Sequence, residues 1–189
     1  MSFYPLSLEQ SVAYLQQQKV IAYPTEAIFG LGCCPLSLSA IEALISLKQR
    51  DSAKGFILIA SDIQQVLPYI DCNKISLTQW EKIQTSWPGP YTWVFPATTK
   101  VLPLIKGQHS SVAVRVTAHP EAKALCETFG GAIVSTSANV ASSTPFRKGQ
   151  DVFNYFGDKI AGVLAGEVGG VLNPTTIQDA LTGEVYRSA

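Results

Sequence analysis

The sequence has little charge, few histidines and no long apolar segment. Only 15% of its 189 residues are charged, and 14 basic side chains balance 14 acidic ones. A neutral chain excludes a uniformly basic nucleic-acid-binding protein. No apolar run approaches the roughly 20 residues of a membrane span, and no basic segment leads into an apolar stretch at the N-terminus. We therefore expect a cytoplasmic protein with no membrane contact.

Metal-ligating residues are also scarce. The chain has two histidines and four cysteines, Cys33, Cys34, Cys72 and Cys126, which form no C-x-x-C pair. Since no zinc-ligand spacing appears, we expect reduced thiols, no metal site built from protein side chains and no tightly bound cofactor.

What is present is typical of one α/β domain. No repeat or linker divides residues 1–189. Helical and strand patterns interleave in the first half and strands follow one another closely later, which predicts a mixed parallel and antiparallel sheet flanked by helices. Predicted helices cover 7–19, 62–67 and 120–129, and others follow a capping box from Ser39 to Glu42, a cap at Ser76, and Asp151. Predicted strands cover 20–23, 56–60, 91–95, 112–116, 132–134 and 160–164, and a terminal hairpin turns at Thr182-Gly183.

The basic residues are unevenly distributed. Residues 82–120 carry a net charge of +4, with no acidic residue between Glu81 and Glu121, whereas residues 151–189 carry −3. A basic stretch interleaved with tryptophan and tyrosine suits phosphate and base contacts. Solvated lysines and core aromatics are the alternative explanation for any single residue in it.

Two motifs in the first third of the chain combine polar side chains. YPTEAIFGLG, residues 23–32, follows a predicted buried strand and reads as a loop that can hold a small polar substrate, although it is neither a P-loop nor G-x-G-x-x-G. Turn and cap formation is the alternative. Lys48, Arg50 and Lys54 then place three cations within seven residues, which suits a triphosphate, with stabilisation of a helix C-terminus as the alternative.

A third motif, STSAN at 135–139, follows the predicted strand 132–134. A hydrolase nucleophile would need a base, and only His109 and His119 are available, without a G-x-S-x-G elbow. Recognition of a nucleotide by polar side chains is the better reading, beside a purely turn-forming role.

Six segments in order resemble the YrdC/TsaC family, the threonylcarbamoyl-AMP synthases. They are YPTEAIFGLG, LKQR followed by KGFILIA, WPGPYTWVFPA, SVAVRVTAHP, STSAN and NPTTIQDALTGEVYR. The resemblance covers essentially the whole chain and matches the short, single-domain form. It implies a twisted sheet with a concave basic face. It also implies a nucleotidyltransferase that makes L-threonylcarbamoyladenylate from L-threonine, bicarbonate or CO2, and ATP, with release of pyrophosphate.

The resemblance also implies where the product goes. Threonylcarbamoyl-adenylate supplies the N6-threonylcarbamoyladenosine modification beside the anticodon of tRNAs that read ANN codons. Weak tRNA contact and a threonylcarbamoyl transferase complex are the expected partners, and Mg²⁺ is expected to arrive on the phosphates of ATP.

Site residues are carried over by motif. Lys48 and Arg50 are implied as catalytic, phosphate-binding residues. Further ATP contacts are implied for Lys54, Thr92, Ser135, Ser137, Asn139, Ser143 and Arg187. Threonine contacts are implied for Thr25, Arg115, Thr175 and Thr176, and which of the last two makes the contact stays open.

Three alternatives remain at this point. One is an RNA-binding module without adenylate-forming chemistry, based on the basic stretch 82–120. Another is an adenylate former that uses carbamoyl or another acyl substrate. The third is a paralogue with the same fold and an altered substrate, against which the intact Lys48-x-Arg50 and Ser137-Ala138-Asn139 segments argue.

Overall fold

An eight-stranded sheet of mixed direction organises the chain. The structure is a computed structural model and describes residues 3–49, 51–140, 143–173 and 175–188. Its strands are β1 Ile21–Pro24, β2 Phe29–Cys33, β3 Ile57–Ala60, β4 Tyr91–Pro96, β5 Ser111–Val116, β6 Ile133–Ser137, β7 Thr176–Asp179 and β8 Val185–Arg187. They lie in the order β1-β2-β6-β3-β5-β4-β7-β8. The β3–β5 and β4–β7 pairs are parallel and the others antiparallel, which confirms the predicted mixed sheet.

Six α-helices flank the sheet in the described part of the chain. They are α1 Leu8–Gln16, α2 Leu38–Lys48, α3 Leu77–Ser86, α4 Pro103–Lys106, α5 Pro120–Phe129 and α6 Gly149–Phe156. The caps at Ser7 and Ser76 and the bounds of α5 agree with the prediction. None of the described helices is long and apolar enough to cross a membrane.

Strand periodicity divides the core into two clusters. Along β1, Ile21 and Tyr23 belong to a cluster with residues of α1 and α5, whereas Ala22 belongs to the larger cluster that contains residues of α2. Leu58 and Ile59 of β3 divide in the same way. Because successive side chains of a strand point to opposite faces, these central strands are buried on both sides.

The sequence missed β2. Residues 23–32 were expected to form a loop, but Phe29–Cys33 pairs with both β1 and β6. Gly32 explains the missing strand signal, because a Cβ atom there would lie 2.7 Å from the Tyr23 ring and 2.8 Å from the Val134 carbonyl. A strand that requires glycine for close approach lacks the β-branched pattern on which prediction depends.

Other boundaries moved for local reasons. Helix α2 begins after Ser37, whose side chain accepts from the Ala40 amide, and not at the Ser39 capping box. Residues 62–67 form parts of two 3₁₀ helices, Ile63–Gln65 and Leu67–Tyr69. Residues 160–164 make only isolated bridges, with Gly162 at a φ of 154°. Strand β6 continues to Ser137, so three of the five residues of the STSAN motif lie in the sheet.

Candidate functional site

A cavity of about 700 Å³ lies on one face of the sheet. Its floor includes Ser111, Ala113 and Arg115, which alternate along β5 with the buried Val112, Val114 and Val116. The predicted strand is therefore confirmed, and its cavity face is half-buried at Ser111 and Ala113 but buried at Arg115. Other parts of the wall come from the turn after β1, the segment before β3, and strands β6, β7 and β8. We call this space the central cavity.

The central cavity is basic. The basic residues that line it are Lys54, Lys106, His109, Arg115 and Arg187, and none of the described lining residues is acidic. Gly107 lets the segment that carries Lys106 and His109 pack closely against the segment that carries Lys54. A side chain at Gly107 would overlap the Ala53 carbonyl, and its φ of 62° also favours glycine. The cavity wall therefore favours an anionic ligand.

Thr25 lies in the turn between β1 and β2. Its side chain is buried, and its Oγ1 donates a 2.7 Å hydrogen bond to the Ile28 carbonyl. A hydroxyl has a single proton, so the remaining lone pairs of Thr25 can only accept. The cavity end near Thr25 therefore suits a donor group of a ligand, such as an ammonium or a hydroxyl.

Thr175, directly before β7, lies at the centre of a polar cluster with residues of β4, β5 and β8. Its Oγ1 lies 3.3 Å from Arg115 Nη1, 3.3 Å from Arg187 Nη2 and 3.3 Å from Thr92 Oγ1. Because an arginine can only donate, the Thr175 oxygen accepts from both guanidinium groups. This end of the cavity presents donors, and it suits a carboxylate or phosphate oxygen.

Arg187 folds back from β8 to the start of β7. Its Nε and Nη2 donate to the Thr175 carbonyl at 3.1 and 2.7 Å. Burial, and then the neighbouring Arg115 guanidinium, lower the pKa of Arg187 below its ordinary value. The structure thus holds two like charges against one hydroxyl, an arrangement that an anion would relieve.

Arg115 has its own counter-charge behind the cavity wall. Its Nη2 lies 3.4 Å from Glu26 Oε2, and both side chains are almost fully buried. The other carboxylate oxygen of Glu26 accepts from the Thr117 hydroxyl at 2.7 Å and from the Ala118 amide at 3.3 Å. Glu26 does not line the cavity.

The STSAN motif is tied to Lys48 at the end of α2. Lys48 is 2% exposed, and its Nζ donates to the carbonyls of Ser137 and Asn139 and to Asn139 Oδ1, each at 2.6 Å. The Ser137 hydroxyl donates to the same Oδ1 at 2.6 Å. The amide nitrogen of Asn139 donates to the Ser143 carbonyl. One ammonium therefore shapes the whole turn that leaves β6.

Ser135 is oriented by a buried tyrosine. The hydroxyl of Tyr23, which is fully buried, lies 2.7 Å from Ser135 Oγ and donates to it. Burial raises the pKa of Tyr23 well above its ordinary value, so the phenol stays protonated. The hydroxyl of Ser135 is left able to donate toward the cavity.

The predicted site residues fall into three groups. The central cavity is lined by Thr25, Lys54, Arg115, Ser135, Ser137, Thr175 and Arg187. Directly behind it lie Lys48, Thr92 and Asn139, which contact lining residues. Ser143 is exposed and its hydroxyl donates to the Val140 carbonyl, while Thr176 pairs with Tyr91 in the sheet. Arg50 lies outside the described residues.

The sequence reasoning did not select several residues that the structure places in or beside the cavity. They are Tyr23, Glu26, Lys106, His109 and Thr117. One signal was present: Glu26 is the only acidic residue between positions 10 and 41, and it follows a fully buried strand. A carboxylate in such a place needs a buried partner.

Metal-ligating side chains do not cluster in the described part of the chain, where no three histidine, cysteine, aspartate or glutamate residues could hold an ion. All four cysteines are free, and Cys33 and Cys126 are buried. Burial raises the pKa of each of these two thiols to about 12, which keeps them protonated and unreactive.

Comparison with known proteins adds to this geometry. Residues 13–189 match the family model Sua5_yciO_yrdC, described as "Telomere recombination". The chain is 50% identical over 185 residues to the threonylcarbamoyl-AMP synthase of Enterobacter sp. (strain 638), covering 97% of each protein. It is 48% identical to the threonylcarbamoyl-AMP synthase of Aliivibrio fischeri, covering 96% of this chain and 98% of that protein.

A solved structure shows the same fold. The chain superimposes on P. abyssi Sua5 in complex with L-threonine with a TM-score of 0.86 at 24% identity. The superposition covers 95% of this chain and 54% of that protein, so the chain spans about half of the Sua5 length.

Proposed function

Because the chain belongs to the Sua5/YciO/YrdC family, we propose that it synthesises L-threonylcarbamoyladenylate from L-threonine, bicarbonate or CO2, and ATP, and releases pyrophosphate. It is then a nucleotidyltransferase whose product serves the threonylcarbamoyladenosine modification of tRNA. The two threonylcarbamoyl-AMP synthases that are 50% and 48% identical over nearly the whole chain support this activity.

The observation that carries the proposal is the basic central cavity. Its volume of about 700 Å³ suits a nucleotide together with a small amino acid. The reaction brings a carbamate and a triphosphate together, and both are anions. Five basic residues and no described acidic residue line the wall that would hold them. Such a wall lowers the repulsion between the two reactants.

The polarity of the cavity orients an α-amino acid. Donors converge at Thr175, where Arg115 and Arg187 meet, and they suit the substrate carboxylate. We therefore assign Arg187 to that carboxylate in place of the ATP contact that the resemblance implies. Thr25 can only accept, since its proton is given to the Ile28 carbonyl, and it suits the amine or hydroxyl of threonine. The amine then points away from the two arginines, toward the space left for bicarbonate and ATP.

The chemical step follows from this placement. The deprotonated amine of threonine adds to CO2, with loss of a proton, and gives an N-carboxylate. A carboxylate oxygen then attacks the α-phosphorus of ATP, a new P–O bond forms, and the bond to the pyrophosphate oxygen breaks. No covalent bond to the protein is needed. The protein supplies position and positive charge.

Phosphate binding is assigned to Lys48, Arg50 and Lys54. Lys54 lines the cavity, and Lys48 lies behind it in contact with Ser137. Mg²⁺ enters as part of the ATP substrate and is held by phosphate oxygens. Ser135, Ser137 and Asn139 are assigned to the nucleotide, with Thr92 supporting Thr175 from β4. We extend the proposal to weak tRNA contact, to a threonylcarbamoyl transferase complex as partner and to the cytoplasm as location.

The proposal is tested by incubating the purified chain with MgATP, labelled bicarbonate and single amino acids. We expect labelled adenylate and pyrophosphate with L-threonine and little with L-serine or glycine. Equal yields with these amino acids would contradict the substrate assignment. Salt-dependent RNA binding without threonine-dependent pyrophosphate release would instead identify an RNA-binding module. Adenylate formed from carbamoyl phosphate without threonine would identify a carbamoyl-adenylate former.

A further inference from the structure

Glu26 carries a buried carboxylate that is connected to the central cavity through Arg115. It is 6% exposed, lies in the turn between β1 and β2, and does not line the central cavity. Its Oε1 accepts from Thr117 and from the Ala118 amide, and its Oε2 lies 3.4 Å from Arg115 Nη2. It therefore cannot contact a ligand in the cavity without a change in the wall.

The charge of Glu26 is retained in the fold. Burial alone would raise its pKa, but the Arg115 guanidinium and the Thr117 hydroxyl outweigh it, and the pKa lies below its ordinary value. A carboxylate of this kind is ionised at neutral pH and is a poor proton acceptor. Its role is accordingly one of charge and position, not of acid or base.

Arg115 is held between two partners. One end of its planar guanidinium faces Glu26 at 3.4 Å, and another, Nη1, donates to Thr175 Oγ1 at 3.3 Å. A guanidinium fixed at one side by a carboxylate keeps its other donors in one direction. Here that direction is the cavity.

Without Glu26, the charged group nearest to Arg115 at Thr175 would be another arginine. Arg187 donates to the same Thr175 oxygen at 3.3 Å. Among the described residues, Arg115 forms its ion pair with Glu26. Without that carboxylate, the two guanidinium groups would repel, and Arg115 would turn away from Thr175.

The frame around Glu26 is itself well fixed. The Gly169 amide donates to the Thr25 carbonyl at 3.0 Å, and the Val171 amide donates to the Glu26 carbonyl at 3.2 Å. Thr117, the hydroxyl donor, is completely buried. The main chain at Glu26 is therefore held by Gly169 and Val171, and its carboxylate by Thr117 directly after β5, as a residue that orients another side chain needs to be.

We propose that Glu26 is a positioning residue, whose carboxylate fixes the Arg115 guanidinium against Thr175 and so prepares it for the carboxylate of the amino-acid substrate. The inference rests on the proposed function, because it assigns Arg115 to that carboxylate. It adds a residue that touches neither substrate and sets the affinity for one of them.

The first test compares Glu26→Gln with the wild-type chain. The glutamine keeps the shape and can still accept from Thr117, but it presents an NH2 group to the guanidinium. We expect the KM for L-threonine to rise about tenfold or more, because the buried guanidinium loses its ion-pair partner. We expect the KM for ATP to change less than about twofold, because the arginine acts at the carboxylate end alone. A threonine KM that stays within twofold of the wild-type value overturns the proposal.

A double-mutant cycle separates positioning from a general structural effect. In an Arg115→Gln background, Glu26→Gln is expected to have no further effect on the threonine KM, because its effect passes through the arginine. The double variant also removes both buried charges, which protects folding if Glu26→Gln alone is unstable. Thr117→Val, which removes one donor to Glu26 and no charge, is expected to raise the threonine KM by a smaller factor. An unchanged effect of Glu26→Gln in the Arg115→Gln background overturns the proposal.

A crystal structure of Glu26→Gln gives a readout that does not depend on activity. The proposal expects the guanidinium of Arg115 to have left Thr175 Oγ1, and a retained contact overturns it. The proposed function fails separately, if the wild-type chain releases no pyrophosphate in the presence of threonine and bicarbonate.

Discussion

Lys48 Nζ lies 2.6 Å from Asn139 Oδ1, so an ammonium at the end of α2 is bonded to a side chain 91 positions later. The same Nζ donates to the carbonyls of both Ser137 and Asn139. Lys48 therefore fixes the shape of the STSAN turn and brings its charge next to it. The family resemblance implied only a catalytic, phosphate-binding role for Lys48.

We predict that Lys48→Met both lowers activity and weakens the fold. Loss of a charged donor beside the reacting phosphates is expected to reduce adenylate formation by at least about 100-fold. Loss of its hydrogen bonds to buried acceptors is expected to lower the free energy of unfolding by about 2 kcal/mol. Pyrophosphate release and urea denaturation measure the two effects.

Lys74→Met is the matched control, because Lys74 is exposed and lies outside the cavity. It should change neither quantity. Near-normal adenylate formation by Lys48→Met would contradict the phosphate assignment, whatever happens to stability.

Thr175 and Thr176 can be told apart by their surroundings. Thr175 accepts from Arg115 and Arg187, whereas Thr176 pairs with Tyr91 in the sheet. We predict that Thr175→Val raises the threonine KM about tenfold, because the buried Arg115 and its neighbour Arg187 both lose their acceptor. Thr176→Val should leave it nearly unchanged. The reverse pattern in steady-state kinetics would assign the substrate contact to Thr176.

The hairpin that carries Arg187 should be sensitive to acid. Asp179 Oδ2 accepts from the Tyr186 hydroxyl at 2.6 Å, and Oδ1 accepts from the Leu181 and Thr182 amides. Although partial burial would raise the pKa of Asp179, these bonds lower it below its ordinary value of 3.8. A carboxyl with a lowered pKa stabilises the fold above its unfolded pKa, and this contribution disappears as pH falls through the folded value.

We therefore predict that Asp179→Asn lowers the melting temperature at pH 7 and that the difference from the wild-type chain shrinks below about pH 4. Thermal melts across this range measure the effect. A difference that is constant from pH 7 to pH 2 would show that the ionised form of Asp179 gives the hairpin no stability.

Gly32 offers a test of the strand that the sequence concealed. A Cβ atom there would lie 2.7 Å from Tyr23 Cε1 and 2.8 Å from the Val134 carbonyl, whereas one at Gly131 would meet nothing within 4 Å. We predict that Gly32→Ala lowers the free energy of unfolding by about 1–3 kcal/mol through overpacking. Gly131→Ala should have little effect. Equal stability of the two variants in chemical denaturation would contradict the close approach of β1, β2 and β6.

Much of the fold could be predicted from local signals. Ser76 and Pro120 mark helix starts, and the alternation around Arg115 marks β5, because capping and strand periodicity depend on neighbouring residues only. Strand β2 could not be predicted in the same way. Its Gly32 is required by Tyr23 and Val134, which approach from other strands.

The site residues differ in the same way, according to whether their signal is local in the sequence. Lys54, Ser135 and Arg115, which line the cavity, could be selected because each belongs to a short segment with a recognisable pattern. Glu26 and Tyr23 were not, since their partners Thr117 and Ser135 are 91 and 112 positions away. A residue that acts by supporting another becomes visible only when strands distant in sequence are brought together.

The place of β6 between β2 and β3 has a consequence for how the protein reaches its native state. Residues 21–60 cannot close their part of the sheet until residues 133–137 enter between them. The chain must therefore close a large loop before the pairing of β6 can stabilise the sheet. The entropy cost of closing this loop slows folding relative to helical proteins. That strand also carries Ser135 and Ser137, so the same slow insertion that completes the core builds the polar wall of the cavity. A nucleotide that binds this wall is then expected to retain the inserted strand and to slow global unfolding.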